Sequence, residues 1–107
     1  MHNDFYFDYY NPTHKKIRKY FPDFLIETSK GRHLVIEVKD AHSKSNYEAN
    51  KVRYSGKTED LFDEVFSKEI GFREFQELNR AFEYRVIFNA RLQDKQKELY
   101  HLLKDSL

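Results

Sequence analysis

The chain has 107 residues, with 19 lysines and arginines against 18 aspartates and glutamates for a net charge of +1. That length suits one hydrophobic core and one domain, undivided by repeats or low-complexity segments, and near-neutral charge excludes polyanion binding by bulk charge alone. The chain has no cysteine, which excludes disulfides and thiolate chemistry, and with neither a membrane-length apolar run nor a hydrophobic leader a soluble cytoplasmic protein is expected.

Eight tyrosines and ten phenylalanines must supply much of the core and part of any binding surface. Asn3 to Tyr10, NDFYFDYY, reads as a strand of aromatics interrupted by acids and closed by Asn11-Pro12. It is expected to pair with the strand that follows Asp23, as a first hairpin. Thr13 to Tyr20, THKKIRKY, reads as a loop or strand end that gathers Lys15, Lys16, Arg18 and Lys19. Such a run is either a solvated edge guarded by lysines or, because it leads directly into Asp23, a patch for the phosphates flanking a reacting bond.

Phe21 to Asp40, FPDFLIETSKGRHLVIEVKD, is the stretch on which the rest turns. It divides into strands DFLIET and RHLVIEVK around Ser29-Lys30-Gly31, where Gly31 supplies a positive φ. A loop centred on Lys30 pairs Thr28 with Arg32, Ile26 with Leu34, Phe24 with Ile36 and Asp23 with Glu37. Alternation then puts Lys39 on the face of Glu37, with Leu25 and Val35 on that face nearer the turn, and His33 opposite Glu27. Two carboxylates directly opposite destabilise a sheet, so something positive should lie between them. A hard divalent cation with oxygen ligands is one candidate; Lys39 can do part of the same work.

Pro22-Asp23 followed by Glu37-Val38-Lys39 at the end of the next apolar strand resembles the PD-(D/E)xK nuclease signature. The longer string KYFPDFLIE…GRHLVIEVKD is similar to nuclease domains of type III restriction subunits and transposon-end-cutting endonucleases. This resemblance implies a restriction-endonuclease-like core with catalytic Asp23, Glu37 and Lys39. It further implies Mg²⁺, or Mn²⁺ as a substitute, held by Asp23, Glu37 and the Val38 carbonyl, and DNA as substrate. Sheets of that family begin with a helix that often carries a further acid. Here only two residues precede the first predicted strand, so Asp8, another segment or a partner subunit takes its place, or the activity has been lost.

Downstream, Ser45 is read as the cap of a helix to about Tyr54, stopped by Gly56. Asn50 and Tyr54 share a face of it, and Asn50-Lys51-Val52-Arg53-Tyr54 is similar to the QxxxY element of RecB-like nucleases. The resemblance makes both nucleic-acid contacts; the plain reading is an amphipathic helix. Thr58 begins a second helix with Leu61, Phe62, Val65, Phe66 and Ile70 inward and Gly71 as its stop, and a third runs from Phe72 to about Phe82. Tyr84 to Phe88 reads as a strand and Leu92 to Leu103 as a closing helix. The order implies an α/β fold, a small mixed sheet with flanking helices.

His2, His14, His33, His42 and His101 show no ligand spacing, so a zinc site is not expected. Two functional readings remain: a metal-dependent DNA endonuclease, or a non-catalytic nucleic-acid-binding or assembly module of the same fold. A chain this small is expected to cut two strands as a homodimer or as a subunit of a larger nuclease or transposition complex.

Overall fold

The computed structural model describes residues 5–88. Its elements in chain order are strands β1 (Phe7–Asn11), β2 (Lys16–Tyr20), β3 (Phe24–Glu27) and β4 (His33–Lys39), helices α1 (Lys44–Arg53) and α2 (Glu64–Glu77), and strand β5 (Phe82–Phe88). The fold is α/β, as the element order implies. The expected closing helix at 92–103, together with His2 and His101, lies outside the described residues.

The β3–β4 hairpin has the register that its loop dictates: Phe24 faces Ile36, Leu25 faces Val35, Ile26 faces Leu34 and Glu27 faces His33. Thr28 N–H donates to the Arg32 carbonyl at 2.8 Å, closing the turn, and Gly31 sits at φ 79°, where a Cβ would be strained. On its other edge β4 pairs in parallel with β5, so β4 is the middle strand. Its unbroken run Leu34-Val35-Ile36 is buried, the pattern of a strand covered on both faces. Parallel pairing needs a crossover, which α1 and α2 provide.

Two expectations about the first strands are corrected. β1 pairs not with β3 but with β2, in a separate ribbon that matches Phe7 with Tyr20, Asp8 with Lys19, Tyr9 with Arg18 and Tyr10 with Ile17. The basic segment is therefore largely strand. The cause lies at Asn11: its Oδ1 accepts the N–H groups of Thr13 and His14 at 2.9 and 3.0 Å, and its carbonyl accepts that of Lys15 at 2.8 Å. The chain reverses there at once, with Lys15 at φ 54°, and the next residues pair back.

The helical region is corrected too. In place of two helices broken at Gly71, a single α2 starts from Asp63, whose side chain accepts the Phe66 N–H at 2.9 Å, and passes through Gly71. Thr58–Asp60 is only a 3₁₀ turn, and Phe82 opens β5. Gly71 is a packing residue, because a Cβ there would lie 2.4 Å from the Asp8 carbonyl oxygen and 2.8 Å from the Tyr9 Cβ. α1 starts at Lys44, after a 3₁₀ turn over Ala41–Ser43, so Ser45 is inside it. Phe62, expected inward, is largely exposed, whereas Leu61, Val65 and Phe66 are buried.

The main core lies where the ribbon, α2 and one face of the three-stranded sheet meet, around Phe7, Tyr9, Tyr20, Val35 and Phe72. The Phe7 ring contacts those of Tyr20, Phe72 and Tyr84 edge-on, at 5.3 to 6.1 Å. Leu34, Ile36 and Ile87 form a second cluster on the other face. Among the described residues no helix is long and apolar enough to cross a membrane. Since Gly71 sets how near α2 comes to β1, Gly71→Ala should lower stability by about 1–3 kcal/mol, the usual cost of overpacking. Urea denaturation reads this directly, and an unchanged midpoint would contradict the packing role.

Candidate active site

Pro22 has no N–H and a fixed φ, so the β3–β4 ladder cannot continue through it by backbone alone. Asp23 closes the gap with its side chain: Oδ2 accepts the Val38 N–H at 2.9 Å. This places an exposed carboxylate beside the Glu37–Val38 peptide, at the open end of the hairpin, where the ladder stops at Phe24–Ile36, one pair short of the expected Asp23–Glu37 pairing.

Glu37 is the opposite case. It is 1% exposed and points, like Val35, toward α2. Its Oε1 accepts from Lys68 Nζ at 3.0 Å and its Oε2 from the Tyr84 hydroxyl at 2.5 Å. Lys39 Nζ lies 3.6 Å from Oε1. The structure thus brings Asp23, Glu37 and Lys39 to one end of the hairpin and adds a second, buried lysine. Lys68 lies over the Tyr20 ring at 4.3 Å, with the Glu64 carboxylate 3.9 Å away. An isolated carboxylate at this depth would be very costly, and the ammonium and phenol partners offset that cost.

Lys68, Tyr84 and Tyr20 are the participants that sequence reasoning missed. The signal for Lys68 was periodicity: it stands three residues after Val65 and four before Phe72, both buried, so an unbroken helix puts it on the inward face. Tyr84 pairs with Val35 in the parallel register, one pleat from Glu37. The Tyr20 hydroxyl is buried beside the Glu37 carboxylate and the Asp23 backbone. Burial, then the charges of Glu37 and Asp23, push its pKa far above the usual tyrosine value of 10.0. Burial and Glu37 also raise that of Tyr84.

The other candidates are placed differently. Lys15, Lys16, Arg18 and Lys19 are all exposed, in the β1–β2 turn and on β2. Asn50 is 0% exposed, which corrects its placement at a nucleic-acid surface. Its Oδ1 accepts the N–H groups of Phe62 and Asp63, and its Nδ2 donates to the Asp60 carbonyl, each at 2.8 Å. Asn50 therefore pins the segment leading into α2. Tyr54 does share its face, but that face lies on α2, with the Tyr54 ring edge-on to Phe66 at 5.4 Å. His33 stacks on Phe82 at 4.5 Å, and His42 is exposed.

No family model matches the chain, and no curated protein or solved structure matches it.

Among the described residues no three or more His, Cys, Asp or Glu side chains gather as a metal-binding group. The donors that the resemblance implies for a cation are Asp23, Glu37 and the Val38 carbonyl. These hard oxygen donors suit Mg²⁺, which commonly takes one or two carboxylates and fills its remaining positions from water and phosphate. Both oxygens of Glu37 already have donors, so a cation competes with Lys68 and Lys39.

Two outcomes follow. Lys68→Met leaves Glu37 buried with its best partner gone and should cost about 3–5 kcal/mol. Adding Glu37→Gln should restore part of that loss, and additive losses in a denaturation cycle would show the pair is not coupled. For the raised tyrosine pKa values, the unfolded chain loses its phenolic protons first as pH rises. The stability they carry is therefore complete below about pH 10 and falls above it. Tyr84→Phe should flatten that alkaline decline in a pH series of melting curves; an unaltered slope would contradict the assignment.

Proposed function

We propose that the protein is a divalent-metal-dependent nuclease of the PD-(D/E)xK type that hydrolyses phosphodiester bonds in DNA. The observation that supports it is the side-chain contact between Asp23 and the Val38 N–H at 2.9 Å, beside Glu37 and with Lys39 3.6 Å from the Glu37 carboxylate. Asp23 is thus held on the backbone of the residue between Glu37 and Lys39, which supports a shared role for the signature's three groups. In this reading Asp23, Glu37 and the Val38 carbonyl hold the metal, which when bound acidifies a water and offsets charge on the phosphoryl oxygens. Lys39 orients the attacking water or donates to the oxygen that gains charge. Lys68 and Tyr84 are positioning residues that fix the Glu37 carboxylate, and the cations of β2 and its turn hold the flanking phosphates.

A second reading rests on the same carboxylate. Because both Glu37 oxygens are engaged, the cluster also serves as a charge-compensated clamp between β4 and α2 in a non-catalytic nucleic-acid-binding or assembly module. The readings part in solution. The nuclease should gain melting temperature with Mg²⁺ or Mn²⁺ and should nick plasmid or single-stranded DNA. Asp23→Asn and Glu37→Gln should abolish both effects. No metal-dependent shift and no cleavage by the wild type would establish the module instead.

A further inference from the structure

Alternation along the β1–β2 ribbon sorts its side chains by face. Phe7, Tyr9, Asn11 and Tyr20 are buried toward α2, so Tyr6, Asp8, Tyr10, Ile17 and Lys19 belong to the outer face. There Tyr6 is 40% exposed and Ile17 64%, with Phe21, just past β2, at 51%. The Tyr6 and Phe21 rings are neighbours, their centroids 5.7 Å apart, and Lys19 Nζ lies 4.6 Å from the centre of the Tyr6 ring. Lys15 is exposed in the turn at the far end of the ribbon, Lys16 and Arg18, though exposed, alternate onto the inner face opposite Asn11 and Tyr9, and Asp8, the acid on the outer face, is paired across the ribbon with Lys19.

We propose that this outer face is a platform for unpaired, single-stranded nucleic acid. Tyr6 and Phe21 stack bases, Lys19 holds the phosphate beside them, and Lys15 in the turn holds one farther along the strand. Interleaved rings and cations are the combination that single strands require, since every base has a face to stack and every linkage a charge. A duplex uses only the cations: its bases are stacked on one another, and the rings would meet phosphate and water. Self-association is disfavoured by charge, because an isologous contact sets Lys15 and Lys19 of both copies together, with Asp8 as the ribbon's one acid against them. The platform also leads into the candidate site. Phe21 precedes Asp23 by two residues, a span of at most about 7 Å, so a base on Phe21 brings its own backbone near Asp23.

The proposal deepens the nuclease reading and rests on it only for what happens to the bound strand, so binding is measured without turnover. Metal-free Glu37→Gln protein is titrated into fluorescein-labelled oligothymidylate, and into a hairpin duplex with the same number of phosphates, and read by fluorescence anisotropy. Single strand should bind more tightly. Tyr6→Leu with Phe21→Leu, which keeps apolar bulk, should weaken single-strand binding about tenfold or more and leave duplex affinity unchanged, while Tyr6→Phe with Phe21→Tyr keeps the wild-type affinity. Equal or tighter duplex binding, equal losses on both probes, or no binding would overturn the platform. So would a dimer in light scattering that the leucine pair dissociates. Ring-dependent binding by a protein that never cleaves would uphold the platform and remove the nuclease; ring-independent cleavage of duplex would do the reverse.

Discussion

The buried carboxylate of Glu37 sets the terms for the rest of the molecule. It enters from the middle strand of the sheet, meets an ammonium from α2 at 3.0 Å and a phenol from β5 at 2.5 Å, and so fixes these three elements relative to one another. A hydrophobic trio of similar volume often stabilises as well or better, so net stability alone is a poor account of such a cluster. What it does impose is position: any shift of α2 along the sheet strands a charge. Gly71, three residues after Lys68 and on the same side of the helix, acts in the same direction, admitting β1 at a distance no side chain would allow.

The two acids at this end of the hairpin are unequal. Glu37 is enclosed and already compensated, whereas Asp23 is exposed and tied down through one backbone N–H. Of the charged groups at this end, Asp23, Glu37 and Glu64 contribute minus three and Lys39 and Lys68 plus two, so the cluster by itself carries minus one. In the proposed function a divalent ion makes it net positive, which favours a phosphodiester anion over water. Lys68 then has two effects: it stabilises Glu37 without metal and opposes the metal's arrival. This is consistent with ligand exchange at Glu37 rather than a vacant cage.

Much of the β3–β4 hairpin was legible because three local signals agree: a turn glycine, strict alternation and an apolar run long enough for a central strand. The nearness of Lys39 to Glu37 followed from them, whereas the Asp23–Glu37 pairing did not, since the ladder stops at Phe24. Lys68 was hidden by a misread glycine. Gly71 looks like a helix stop until β1 is known to lie against it, and with the helix broken there Lys68 loses its inward register with Phe72. β2 was hidden for the converse reason, since Lys16 to Lys19 are all exposed and show no buried alternation to read. Asn50 misled because a buried carboxamide that holds three backbone groups has the same sequence signature as one that faces a ligand.

The central claim is that a divalent ion takes its ligands from Asp23, Glu37 and Val38. Substoichiometric Mn²⁺ added to ¹⁵N-labelled protein tests it most directly, through paramagnetic broadening of backbone amide signals. The account predicts that the amides of Asp23, Glu37 and Val38 broaden first, that Mg²⁺ in excess reverses the effect, and that Glu37→Gln removes it. Uniform broadening, or broadening centred on a different acidic patch, would contradict it.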